Sequence, residues 1–207
     1  MERIACLFFD FPGLDRVACV FTTRRGGQSG PPFDSANLSL DLGDERDRVL
    51  ANRAALQRDL GFRHWQECRQ VHGQTLHFDP RPAGPGDGPG IEGDGLATAR
   101  PGQALVVKTA DCQPVLLAHR SGRFVAALHV GWRGNRAGFP ALAAAAFCER
   151  YAVSPAEVMA VRGPSLGPTA SRFSDFEAEF GPGFRDYLDP KAMTVDLWRC
   201  LLYTSPS

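Results

Sequence analysis

The sequence predicts an α+β fold built on mixed, largely antiparallel sheets, and two observations carry this reading. Apolar, strand-like runs come in groups with helices between them, not in strict alternation with helices. Neighbouring runs are joined by tight turns, as at Ser121-Gly122, which favours antiparallel hairpins over a doubly wound parallel sheet. At 207 residues the chain fits one sizeable domain and can bury a core without disulfides or structural metal.

The elements follow in order. Residues 4–9 and 16–22 are short apolar runs that suit strands, and the Gly- and Pro-rich stretch 24–32 reads as a loop. Residues 44–60 read as an amphipathic helix with Val49, Leu50, Leu56 and Leu60 inward and Gly61 as its C-cap. Arg48 and Arg53 on that helix are expected either in a pocket or on a solvated face. Residues 68–77 look like a strand kinked at Gly73, and 81–93 like a Pro/Gly loop. Residues 95–99 lead into a turn at Pro101-Gly102. Strands are expected at 104–109, 114–119 and 124–130. A glycine-punctuated connection, 131–138, feeds an alanine-rich helix over 140–151, with Pro140 tolerated near its start. A short element from Pro155, a strand at 158–161 and a short helix at 174–180 complete the pattern.

Composition narrows the function classes. Lys plus Arg and Asp plus Glu are equal at 23 each, so no charge signature of a nucleic-acid or membrane-surface binder is present. No apolar run approaches a bilayer span, and the start of the chain lacks a leader pattern, so a cytoplasmic protein is expected. The six cysteines are scattered without a C-x-x-C pair, which predicts reduced thiols, most of them packed as small hydrophobes like Cys148.

Chemistry concentrates in two segments. Cys112 lies in Lys108-Thr-Ala-Asp-Cys-Gln-Pro, between two apolar runs and directly after Asp111. An acid beside a buried thiol is costly, so this corner is expected to face a cleft. His129 ends an apolar run and precedes Val-Gly-Trp-Arg-Gly. His72, in Gln70-Val-His-Gly, has the same setting; His64, His77 and His119 lack it and are expected at the surface or at edges. Taken as a set, His72, Cys112 and His129 supply two nitrogens and a thiolate, leaving a fourth tetrahedral position for water, the pattern of catalytic zinc. Other readings stay open at this stage: a metal-free hydrolase with Cys112 as nucleophile and His129 as base, or packing alone. Arg133, at or near the start of the alanine-rich helix, is positioned by sequence to recognise phosphate with the backbone N–H groups of 131–135, or else to pair with Asp111. Trp132 can stack on a planar ligand or serve the core.

These motifs, together with Asp94-Gly, Thr109-Ala-Asp-Cys-Gln-Pro, His129-Val-Gly-Trp-Arg-Gly, Gly163-Pro-Ser-Leu-Gly, Arg24-Arg-Gly-Gly and Asn52-Arg, resemble the laccase-domain or polyphenol oxidase family, whose members are also called purine nucleoside phosphorylases. The resemblance runs over about residues 18–197. It implies a layered α/β/β/α sandwich, zinc held by His72, Cys112 and His129, and phosphorolysis of adenosine, inosine, guanosine and methylthioadenosine, with adenosine deamination. Asp111, Arg133 and Gln70 are then candidates for catalysis, and Asn37, Arg48 and Arg133 for binding nucleoside and phosphate. Copper-dependent phenol oxidation is the alternative within the family. Type-1 copper favours His₂Cys with a weak axial Met, and Met159 and Met193 both lie outside the motif segments. A non-enzymatic nucleoside binder is the last alternative. After Val195-Asp-Leu-Trp the family pattern continues with a further motif-bearing segment, whereas residues 199–207 here read as a foreign tail. The expected domain is therefore 1–198, incomplete at its C-terminal end.

Overall fold

Period-two alternation builds the centre of the molecule. A computed structural model of the chain describes residues 3–204, without the side chains of Tyr203 and Thr204. Two of the first residues read for a leader pattern, 1–2, and the end of the expected tail, 205–207, lie outside them. The strands are β1 (Cys6–Phe9), β2 (Cys19–Thr22), β3 (His64–Glu67), β4 (Leu76–Phe78), β5 (Gly95–Thr98), β6 (Gln103–Val106), β7 (Gln113–His119), β8 (Val125–Val130), β9 (Val158–Arg162), β10 (Leu188–Asp189) and β11 (Thr194–Val195). The helices are α1 (Arg46–Leu60), α2 (Trp132–Arg136), α3 (Phe139–Tyr151), α4 (Phe176–Glu179) and α5 (Leu197–Thr204).

The main sheet has five strands in the order β4-β5-β8-β7-β9. Its pairs are antiparallel except β4 with β5, and the separate β3–β6 pair is also parallel, so the sheets are mixed and largely antiparallel. Alternation along β7 sorts its side chains. Val115 and Leu117 join Phe139, Ala143 and Phe147 of α3 in one core, while Leu116 and Ala118 face Phe11, Leu14 and Cys19 beside the β1–β2 hairpin. A further cluster packs Leu56 of α1 on Trp65 of β3. The order of layers is thus α3, main sheet, small sheets, α1, the α/β/β/α arrangement. Among the described residues no helix is long and apolar enough to cross a membrane.

Several expectations are corrected. Residues 68–77 are not one strand: 68–75 is a loop joined to Glu92 by a lone bridge at Arg69, and only Leu76–Phe78 pairs. Its backbone N–H groups at 71–73 bond instead to the Asp94 side chain, which removes them from any ladder. Residues 95–98, expected to lead only to a turn, form the buried strand β5. The 131–138 connection contains the short helix α2. Arg53 is fully buried, not solvated, and bonds both carboxylate oxygens of Glu67 at 3.0 Å. His119 is also buried, its Nδ1 lying 2.8 Å from Ser121 Oγ in the hairpin turn. Gly61 caps α1 in the left-handed conformation, as its sequence position predicts. In the stretch expected as a tail, Cys200 and Leu201 are buried, Leu201 within the α3 core. No disulfide joins cysteines among the described residues.

Candidate metal centre

Strand register brings the site together. In the β7–β8 pair Gln113 lies opposite Val130 and Pro114 opposite His129, so Cys112, just before β7, sits beside the end of β8. On the other side of β8, Gly95 lies opposite Leu128, which brings Asp94 next to His129. His72 arrives from the 68–75 loop. Its φ of 58° is left-handed, unusual for a residue with a side chain. The loop is held there by Asp94: Oδ1 accepts the His72 N–H at 2.9 Å, and Oδ2 accepts those of Gly73 at 2.7 Å and Val71 at 3.3 Å.

The three sequence-predicted ligands do converge. One donor atom from each of His72, Cys112 and His129 lies within 4.8 Å of the others. Cys112 Sγ is 3.9 Å from His72 Nε2, and the two imidazoles meet edge to face at 4.8 Å between centroids. With bonds of about 2.3 Å to sulfur and 2.0 Å to nitrogen, tetrahedral neighbours stand roughly 3.5 Å apart, so the S···N pair is within a few tenths of an ångström of a metal site. His129 is buried at the base, whereas His72 is exposed and Cys112 half-buried at the mouth.

Electrostatics suit a metal. His129 Nδ1 lies 2.8 Å from Asp94 Oδ1, which puts the proton on Nδ1 and leaves the Nε2 lone pair for a ligand. Burial, opposed by the Asp94 hydrogen bond, pushes the His129 pKa down, so the ring is neutral at pH 7 and able to ligate. Burial, then Asp111 and Asp94, pushes the Cys112 thiol up. That argues against a spontaneously ionised nucleophile and means a metal ion must displace the thiol proton. Gly131 leaves the space: a Cβ there would stand 2.7 Å from His72 Cδ2 and 3.3 Å from Cys112 Sγ.

A cleft of about 1750 Å³ opens between the layers, and Asn37, Gln70, His72, Lys108 and Asp111 contribute to its wall. The sequence and the fold have known relatives. The family model described as multi-copper polyphenol oxidoreductase laccase matches residues 18–202.

The chain belongs to this laccase family.

Its relatives carry another name. A protein called purine nucleoside phosphorylase from Pseudomonas aeruginosa is 35% identical over 204 residues, covering 92% of this chain and 77% of that protein. Purine nucleoside phosphorylase YfiH from Escherichia coli is 39% identical over 158 residues, 74% of this chain and 60% of the relative. For YlmD of Geobacillus stearothermophilus, also called a purine nucleoside phosphorylase, the chain spans 59% of the relative's length. The crystal structure of YlmD superposes with a TM-score of 0.81 at 28% identity, over 99% of this chain and 84% of that one.

In this laccase-family chain the other predicted residues take distinct places. Asp111 is exposed next to Cys112, and its carbonyl accepts the Leu166 N–H at 3.0 Å. The Gln70 amide is engaged at both ends by the Lys108 backbone: Nε2 donates to the carbonyl at 2.8 Å and Oε1 accepts the N–H at 2.7 Å. Arg133 is exposed on α2 with its guanidinium 4.3 Å over the Trp132 ring, and Trp132 itself packs on Phe173 and Phe180. Asn37 donates to Asp44 at 3.0 Å, and Arg48 pairs with Glu45 at 2.8 Å. Sequence reasoning gave Gly131 only a backbone N–H for phosphate, missing the space it leaves, and gave Asp94 no role. A lone acid between two glycines, ahead of Leu96-Ala97, is the signal that was available for Asp94.

Proposed function

We propose that this chain is a zinc-dependent purine nucleoside phosphorylase. The observation that carries the reading is the convergence of His72, Cys112 and His129, with His72 and Asp111 on the wall of a cleft roomy enough for a nucleoside and phosphate. The names of its relatives supply the substrate class. His72 through Nε2, Cys112 through Sγ and His129 through Nε2 would hold the ion. Zinc bound there supplies Lewis-acid polarisation, a role that two imidazoles and one thiolate with an open position suit.

The chain's own residues do the rest. Asp111, exposed at the mouth, is the group proposed to accept or hold a proton from the substrate. Arg133 offers an exposed guanidinium for the phosphate, which it meets bidentately when it leaves the Trp132 face. Gln70 acts as a positioning group, since both ends of its amide tie the His72 loop to the segment that leads to Cys112. Asn37, on the cleft wall, is the proposed nucleoside contact, and Arg48, paired with Glu45 outside the wall, is the weaker candidate. Inosine, guanosine, adenosine and methylthioadenosine are the proposed substrates, and adenosine deamination the proposed side activity.

Copper-dependent phenol oxidation is favoured by no feature of the site beyond the His₂Cys composition. Met159 packs in the core beside the β1–β2 hairpin and Met193 lies in a turn next to β11. Among the described residues there is one His/Cys/Asp/Glu group close enough to hold an ion, where multicopper chemistry needs several.

The test pairs metal analysis with product analysis on the purified protein. Wild type is expected to carry about one zinc per chain and to release hypoxanthine from inosine only when phosphate is supplied. Cys112→Ala is expected to lose zinc and turnover together. Stoichiometric zinc in Cys112→Ala overturns the site, and phosphate-independent release of hypoxanthine overturns the phosphorylase reading.

A further inference from the structure

Asp94 is the most heavily bonded side chain near the candidate metal centre, yet it is not a member of the ligand set. It is fully buried, and its two carboxylate oxygens meet four donors. Oδ1 takes the His72 N–H at 2.9 Å and faces His129 Nδ1 at 2.8 Å. Oδ2 takes the N–H groups of Gly73 at 2.7 Å and Val71 at 3.3 Å. The Asp94 carbonyl also accepts the His129 N–H at 2.7 Å. An ionised carboxylate accepts at about four lone-pair sites, so this one is saturated. Every partner is therefore a donor, and His129 can present only Nε2 to a ligand.

One side chain thus fixes two of the three proposed ligands by different means. For His129 it sets the tautomer and ring plane. For His72 it sets the backbone, gathering three successive N–H groups around one carboxylate and holding the residue at φ 58°. A hydrophobic or amide side chain cannot do both. An Asn must aim an NH₂ at groups that are themselves donors. The bonds of Asp94 also span the chain: they join the 68–75 loop, the start of β5 and the end of β8.

We propose that Asp94 is the positioning residue of the metal centre, building the ligand geometry before any ion arrives. The inference rests on the metal-centre half of the reading above and is independent of the nucleoside chemistry. Outer-shell carboxylates that orient ligating histidines typically contribute about ten- to hundredfold in metal affinity.

The experiment is zinc affinity by chelator competition, with thermal unfolding of the metal-free proteins, for wild type, Asp94→Asn and the core variant Phe147→Leu. Asp94→Asn is expected to bind zinc about ten- to hundredfold more weakly. Phe147→Leu, which loosens the α3 core without touching the carboxylate, is expected to lower the melting temperature and keep its affinity. An Asp94→Asn affinity within threefold of wild type, or an equal loss in Phe147→Leu, overturns the inference. A second measurement needs only wild type, and so survives misfolding of the Asn variant. Nitrogen-15 NMR of histidine-labelled protein is expected to show His129 protonated at Nδ1 both without and with zinc. Protonation at Nε2 in the zinc form overturns the proposal. A wild type that binds no zinc rejects the metal centre itself, whereas normal binding by both wild type and Asp94→Asn rejects only the role given to Asp94.

Discussion

Gly131 has a backbone that alanine can adopt, with φ −71° and ψ 171°, so the fold does not require glycine there. The space does. A methyl group would approach His72 Cδ2 to 2.7 Å and Cys112 Sγ to 3.3 Å, filling the volume in which the three donors converge. Gly131→Ala is therefore expected to separate metal binding from stability. Zinc affinity should fall at least about tenfold, equivalent to roughly 1.4 kcal/mol, while the metal-free protein melts within a few degrees of wild type. Chelator competition and thermal unfolding in EDTA measure the two quantities. Unchanged affinity would mean that the donors close on the ion from a direction that avoids Gly131. The three converging donors were legible at this scale as candidates, because a histidine or cysteine at the end of an apolar run, beside glycine or proline, marks where a strand leaves the core. Gly131 and Asp94 were not, since their roles depend on which strands are neighbours, and nothing local records that β8 lies between β5 and β7.

Helix α1 shows why apolar periodicity reads some elements and not others. Strands β7 and β8 are short apolar runs joined by a Gly turn, so their extent and pairing follow from the sequence. The same rule assigned Arg53 either to a pocket or to a solvated face, because charged residues are almost never fully buried unless paired. Its partners lie elsewhere in the chain. Arg53 donates to the Leu38 carbonyl at 2.6 Å, the Pro85 carbonyl at 3.1 Å and both oxygens of Glu67, while stacking 4.8 Å from the Trp65 ring. Asn52, one residue earlier, accepts the Gln28 N–H at 2.8 Å and donates to the Asn37 carbonyl at 2.9 Å. The inner face of α1 is thus a polar clamp that ties down two loops, one of which carries Asn37. Arg53→Ala leaves Glu67 buried without its cation and the Leu38 and Pro85 carbonyls without this donor. It is expected to cost roughly 3–5 kcal/mol in denaturant unfolding. Arg48→Ala on the same helix breaks an exposed pair with Glu45 and an exposed 3.4 Å bond to the Gln28 carbonyl, and should change stability by less than about 1 kcal/mol. Equal effects of the two substitutions would contradict the burial assigned to Arg53. Loop 68–75 misled for a related reason: its backbone is organised by a carboxylate about twenty residues later, beyond any window in which a strand pattern is judged.

The same packing gives the whole molecule a shared weakness in alkali. Burial pushes the thiols of Cys19 and Cys200 up to about 11 and that of Cys68 up to about 12, from an ordinary 9.0. Burial likewise pushes the Tyr151 phenol up to about 12 from 10.0. The four sit on different elements: in β2, on α5, in the loop before His72 and at the end of α3. As the pH rises past 9 the unfolded chain gives up these protons and the folded chain keeps them. The native state then binds more protons than the unfolded one, and stability must fall with pH across the interval between the ordinary and the raised values. The four groups lie on different elements, and each contributes in the same direction. The midpoint of urea unfolding is therefore expected to hold between pH 7 and 8.5 and to decline steadily from about pH 9 to 11, measured without metal so that ligand loss at Cys112 does not intervene. Cys19→Ala removes one of these groups without touching the metal centre, and should make the decline shallower even if it lowers the midpoint at pH 7. A midpoint that stays level to pH 11 would mean that the thiols ionise in place, and that the core around them admits water.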